Sequence, residues 1–375
     1  MSKRWEGRRR SSARGWVGSR AAPWLLVACL ATATPVARAD PTGPDASPDV
    51  PAAAPDARDT PSRAASAPPV PIGTRFAEPL EDGERVRLRY QFERTKLQGL
   101  LIADRDVNPG LVRNALFLDY TATPRALDVT VHTVELAWAP HPRTTLIVQV
   151  PFLQKELETL EASGERRRRE TEGVGDVNFA LVVPFIRKRH DRAVENSHVH
   201  IAFDVPTGSI RKEDRAGRRL PYDNQIGNGT VDFEWGWTYR GAFDRFAWGG
   251  QVFGRHPLGR NGLRYAEGSR FVGSIWGGVE LLAGLSTSVR VQWQKQNNIA
   301  GPGDRAFLPI TNPAENGKAR GGTRFLIGPG LAWALPGVLR GQRLSFEAAI
   351  PVHQDLDGPQ LEQDWVLTTG WQWSY

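Results

Sequence analysis

The chain has 375 residues, 48 Lys and Arg against 41 Asp and Glu, and is rich in Gly (38), Pro (28) and Trp (13). No apolar run after residue 40 approaches the ~18 residues of a spanning helix, which excludes a helical membrane protein. The mean hydropathy of −0.41 does not exclude a membrane barrel, because half of each of its strands faces a polar lumen. The basic residues are scattered through the N-terminus and between elements, so the charge of +7 does not point to nucleic acid. The single cysteine, Cys29, leaves no disulfide and no thiolate metal site in the remainder.

Residues 1–20 carry Lys3, Arg4, Arg8, Arg9, Arg10, Arg14 and Arg20. The apolar run AAPWLLVACLATATPVA follows, then Ala37-Arg38-Ala39. A basic region, an apolar core and an A-x-A site predict a Sec signal peptide over 1–39, cleaved after Ala39. Leu26-Val27-Ala28-Cys29 resembles a lipobox, so lipidation at Cys29 is the alternative. Either implies export, and with the pattern below it predicts the outer membrane of a Gram-negative-type bacterium. Residues 40–79 are dominated by Pro, Ala, Asp and Ser and are expected to be a disordered linker without the core a plug would need.

From residue 80 the sequence predicts an all-β domain, an antiparallel up-and-down transmembrane β-barrel of about 12 strands. Short segments alternate between apolar and polar residues and are bounded by Gly, Pro, Asn and Asp. The expected strands are 84–94, 127–138, 143–153, 174–186, 197–206, 229–240, 244–255, 269–282, 286–296, 322–334, 341–352 and 362–375. Long connections at 95–126, 154–173, 207–228, 256–268 and 297–321 alternate with short ones, the rhythm of external loops and periplasmic turns. At the C-terminus Trp371, Trp373 and Tyr375 share one strand face with Trp365 and Leu367. A terminal aromatic preceded by aromatics two and four residues earlier resembles the signal read by the barrel-assembly machinery.

The segments LAWAPHPRTTLIVQVPFL, GVGDVNFALVVPF, DVPTGS, GNGTVDFEWGWTYRG and PVHQDLDGPQLEQDWVLTTGWQWSY resemble the outer-membrane transporter-like family named for the MetA pathway of phenol degradation. The resemblance spans most of 84–375 and rests on barrel punctuation. It implies an outer-membrane barrel that passes or binds small solutes, hydrophobic or aromatic ones among them. It carries over no catalytic residue.

If the aromatic and aliphatic side faces lipid, the expected pore lining is Arg85, Arg87, Arg89, Asp176, His198, His200, Asp204, Asp232, Glu234, Arg255, Arg270, Glu280, Arg290, Gln292 and Glu347. Asn178, Gln251, Gln294 and Asp364 lie on the same side. Both signs occur, so most of these groups are expected to pair across the lumen. The cluster Arg85, Arg87, Arg89 and Arg290 would give an anion preference. His198 and His200 point the same way but lack a third ligand, and no metal or other cofactor is implied. Arg166–Arg169, Arg211, Lys212, Arg215, Arg218 and Arg219 fall in external loops, where outer-membrane lipids and lipopolysaccharide phosphates are the expected partners.

No G-x-S-x-G, no H-E-x-x-H and no lipid-facing Ser–His pair is apparent, so the reading is not an enzyme. Passage of a small solute is the leading function. A closed structural or interaction barrel working through its loops is the alternative, and an outer-membrane lipid hydrolase is more remote.

Overall fold

The computed structural model describes residues 69–114, 120–190, 192–301 and 310–375; the expected signal peptide and most of the expected linker lie outside them. Alternation sets the strands. In β8 (Asp232–Phe243) Trp235 and Trp237 point out, while Glu234 and Thr238 are buried inside. The neighbouring β7 (Ala193–Val205) places Ile201 beside Trp235 and Val199 beside Trp237, so an apolar ladder covers the outer wall. On the inner wall His200 lies opposite Gly236, where a Cβ would sit 2.2 Å from the imidazole. Only glycine lets the buried ring lie flat against the sheet there.

The strands are β1 (Val86–Ala103), β2 (Arg105–Asp106), β3 (Ala122–His141), β4 (Thr144–Glu161), β5 (Arg166–Val174), β6 (Val177–Arg189), then β7 and β8. They continue with β9 (Phe246–Pro257), β10 (Arg270–Leu282), β11 (Leu285–Gln296), β12 (Gly322–Ala334) and β13 (Gln342–Ser374). Each pairs antiparallel with its neighbour, and β13 pairs antiparallel with β1 to close the ring. β5 and β6 pair with successive parts of β4 and form one broken stave. β2 only folds back on the end of β1.

β13 is two staves. Its first half pairs with β12 and its second with β1, and a ring of alternating directions closes only with an even number. The reversal occurs around Gly358, at φ +105°. The two arms are joined by Ser374 N donating to Gly341 O at 2.9 Å and Trp371 Nε1 donating to Gln342 Oε1 at 2.9 Å. Twelve staves result, as the alternation predicted.

One end of the barrel carries the short turns at 142–143, 190–192, 244–245 and 283–284; the other carries the long connections at 104–121, 206–231, 258–269 and 297–321. We call them the turn end and the loop end. Three expected loops differ. The stretch 154–173 is a β-hairpin of β4 and β5, because Arg166–Arg169 pair with Leu157–Leu160 across it. Residues 95–103 prolong β1, and 353–361 is absorbed into β13. Within the expected 95–126 connection, residues 115–119 lie outside the described residues.

The outer surface is an apolar belt. Ile275, Val289, Val291, Trp248, Trp333 and Phe346 are all exposed on it. A belt of this extent is incompatible with water and suits lipid. Ile275→Arg, at a position 65% exposed, is expected to lower stability in lipid vesicles by about 2–4 kcal/mol if it lies near the midplane. Equilibrium urea titration of the folded barrel measures this.

Candidate functional site

Residues 69–80, PVPIGTRFAEPL, run inside the ring. This corrects the expectation of a linker to residue 79. The sequence reading demanded an apolar core, but the segment docks mainly through polar and charged bonds to a polar wall. It enters at the turn end, since it leads directly into β1, whose first residue Val86 and its neighbour Arg85 bond to the Tyr375 carbonyl at the ring seam.

Its bonds are distributed along its length. Arg75 Nε donates to Glu234 Oε1 at 2.7 Å, with Asp204 3.8 Å from the same guanidinium. Arg75 N donates to Gln251 Oε1 at 3.2 Å, and Gln251 Nε2 returns a bond to Arg75 O. His198 Nε2 donates to Phe76 O at 2.9 Å. The Phe76 ring packs edge-on to His200, with centroids 5.2 Å apart. Phe76 and Leu80 join Ala137, Ile147, Ala180, Val182 and Ala202 in a small apolar cluster. Gly73 passes over the Arg290–Glu347 ion pair so closely that a Cβ would sit 2.3 Å from Arg290 Nη2.

The anchor of the segment is Glu78. Arg343 Nη1 donates to its Oε1 at 3.0 Å and Arg89 Nη2 to its Oε2 at 3.2 Å, while Arg87 Nη2 donates to its backbone carbonyl at 2.8 Å. Glu135 lies 3.4 Å from Arg87 and 3.7 Å from Arg89. Three arginines from β1 and β13 thus meet two carboxylates, one of them on the segment.

Above the segment, toward the loop end, lies a cavity of about 630 Å³ with Ile72–Phe76 as its floor. Gln91, Gln149, Gln292, Gln294, Gln296 and Gln363 line it together with Arg255, Arg270, Arg324, Glu93, Asp176 and Asp204. Hollows beside the segment measure about 20 and 10 Å³, on the scale of the ~10–15 Å³ that a single water needs.

Of the residues expected to face the lumen, Arg87, His198, His200, Asp204, Asp232, Glu234, Arg290, Gln292 and Glu347 are buried inside the ring, and Arg89, Asp176, Arg255 and Arg270 line the cavity. Three do not fit. Arg85 precedes β1 and is exposed at the rim. Glu280 is turned to cap the β10–β11 turn, accepting from Gly284 N at 2.8 Å. Asp364 sits where the β1–β13 register slips, so it is exposed and Gln363 takes the inward place. The anion cluster is also corrected: Arg87, Arg89 and Arg290 are each paired with a carboxylate.

His198 and His200 are occupied by Phe76 and by Glu234, 3.3 Å from His200 Nε2, and no cluster of metal-binding type occurs among the described residues. Sequence reasoning missed Arg75, Glu78, Glu135, Arg324 and Arg343. The strand residues among them were accessible through parity. For the segment, the signal was the recurrence of Ile72, Phe76 and Leu80 at intervals of four in an otherwise small-residue stretch.

A Ser–His pair does face outward, contrary to expectation: His256 Nδ1 is 3.1 Å from Ser269 Oγ. Trp235 Nε1 donates to His256 Nε2 at 3.3 Å. Indole is only a donor, so Nε2 is the acceptor and Nδ1 carries the proton. The imidazole then donates to the serine and is not placed to take its proton.

No family model matches the sequence, and no curated protein matches it. Among solved structures, an outer-membrane channel from Pseudomonas putida F1 superposes with a TM-score of 0.56 at 11% identity, covering 81% of this chain and 100% of that one. The fold is that of an outer-membrane β-barrel. The transport unit of the autotransporter AIDA-I from Escherichia coli is a looser match, with a TM-score of 0.43 at 10% identity over 80% of this chain and 94% of that one.

Glu78→Gln leaves Arg343 and Arg89 without that counter-charge and is expected to loosen the segment. Breaking a buried pair costs about 3–5 kcal/mol, so trypsin should cut after Arg75 at least about tenfold faster than in the unmodified chain. Mass spectrometry of a timed digest reads this out; equal rates would mean that Glu78 is not the anchor.

Proposed function

We propose that the chain is an outer-membrane channel for small solutes, with the loop end outside, the turn end in the periplasm, and residues 69–80 as a removable plug. The observation that carries this reading is the cavity of about 630 Å³ floored by Ile72–Phe76 and walled by charged and amide side chains together with apolar ones such as Leu97, Val131, Leu153 and Phe253. A cavity of this size lies in the range of small-molecule sites. Its arginines and glutamines suit a polar or charged group on the solute, and its apolar residues suit the hydrophobic or aromatic body implied by the MetA-pathway resemblance. Membership of that family is part of the proposal, supported by the fold shared with the P. putida channel.

In the same reading, Trp371, Trp373 and Tyr375 on the closing stave are what the assembly machinery recognises, and exposed loop arginines meet lipopolysaccharide. Several of those arginines already have partners: Arg168 pairs with Glu156 and Glu170, and Arg218 with Asp214. Lipopolysaccharide contact therefore ranks below the channel reading.

A closed barrel acting through its loops is the second reading, favoured by the dense bonding of the plug. Planar-bilayer conductance separates the two. The mature chain is expected to give rare, small steps, and the chain lacking 40–79 steady and larger ones. A truncated barrel that folds but never conducts would overturn the channel.

A further inference from the structure

Most luminal arginines are matched to carboxylates, but Arg270 and Arg324 are not: neither makes an ion pair among the described residues. Both are half-buried in the cavity wall. Each is steadied by one glutamine, Arg270 Nη2 donating to Gln294 Oε1 at 3.0 Å and Arg324 Nε donating to Gln354 Oε1 at 3.2 Å. A guanidinium has several more N–H donors, and no protein acceptor takes them in the described structure.

The two belong to one patch. Gln294 of β11 lies directly opposite Arg324 of β12, and Arg270 lies directly opposite Arg255 of β9. Like charges facing each other across a strand pair are destabilising. Arg255 is offset by Asp204 at 3.5 Å and Asp232 at 3.7 Å, whereas Arg270 has only the charge of Glu93, beyond ion-pair distance. Glu93 lines the same cavity without pairing with either. Two desolvated guanidiniums, held by neutral amides and left with open donors beside a cavity, lack an anion.

We infer that Arg270 and Arg324 form a binding station for a small oxyanion, a carboxylate or a phosphate, in the cavity above the plug. A planar fork of N–H donors suits either group. The station gives the solute of the proposed channel a charge class and rests on that reading for its place in transport. The binding itself does not depend on conduction.

The test is calorimetric titration of the full mature chain in detergent at low ionic strength with inorganic phosphate and, separately, succinate. At least one should bind saturably, and the one that does assigns the solute to the phosphate or the carboxylate class. Arg270→Gln and Arg324→Gln should each weaken binding about tenfold or more, while Lys318→Gln on an exposed loop leaves it unchanged. Removing one of several mutually repelling cations does not threaten the fold, and heat-modifiable mobility on gels verifies that. No saturable binding of either anion, or both arginine variants binding as the unmodified chain does, would overturn the inference. Binding by a chain that never conducts, even without its plug, keeps the station and removes the channel; conduction without binding does the reverse.

Discussion

The arrangement turns on one carboxylate, Glu78, meeting arginines that the barrel wall could not otherwise neutralise. Arg89 and Arg343 project from staves on either side of the closing seam, and Arg87 lies two residues before Arg89 on the same face. Without the segment, Arg87 and Arg89 would share Glu135, and Arg343 would keep only the pull of Glu84 and Glu81 at the rim. Charges confined between low-dielectric walls are costly when unmatched. The segment that carries Glu78 is therefore a structural member of the lumen, and the ring and its contents are electrostatically one unit.

The same principle orders the interior further up. Arg75 and Arg255 meet Asp204, Asp232 and Glu234, and Arg290 meets Glu347. Matched charge fills the half nearer the turn end, where the segment lies. Glutamines, the two unmatched arginines and the paired Arg255–Asp204–Asp232 group surround the open half.

The barrel was legible because a two-faced wall imposes period two on the sequence. Phe233, Trp235 and Trp237 alternate with Asp232, Glu234 and Gly236, and the structure places the two sets on opposite faces. The errors fall where that period breaks. The slip at Asp364 moves one residue off its face, and the β4–β5 hairpin carries charges on both sides, so its residues read as a loop. The inner segment was illegible for a different reason. It has no period, and its Arg75 and Glu78 acquire meaning from wall partners as far as 159 and 265 residues away. Composition called it a linker, and composition does not register a partner supplied by the wall.

The tether at the seam has a directional consequence. Because the segment is continuous with β1 at the turn end, it can leave the lumen only toward that end. A load arriving from the loop end presses it along its exit path, whereas a load from the turn end presses it back onto Arg75's and Glu78's partners. Displacement of the segment is thereby one-sided: it has a way out toward the turn end and a seat against the wall in the opposite direction.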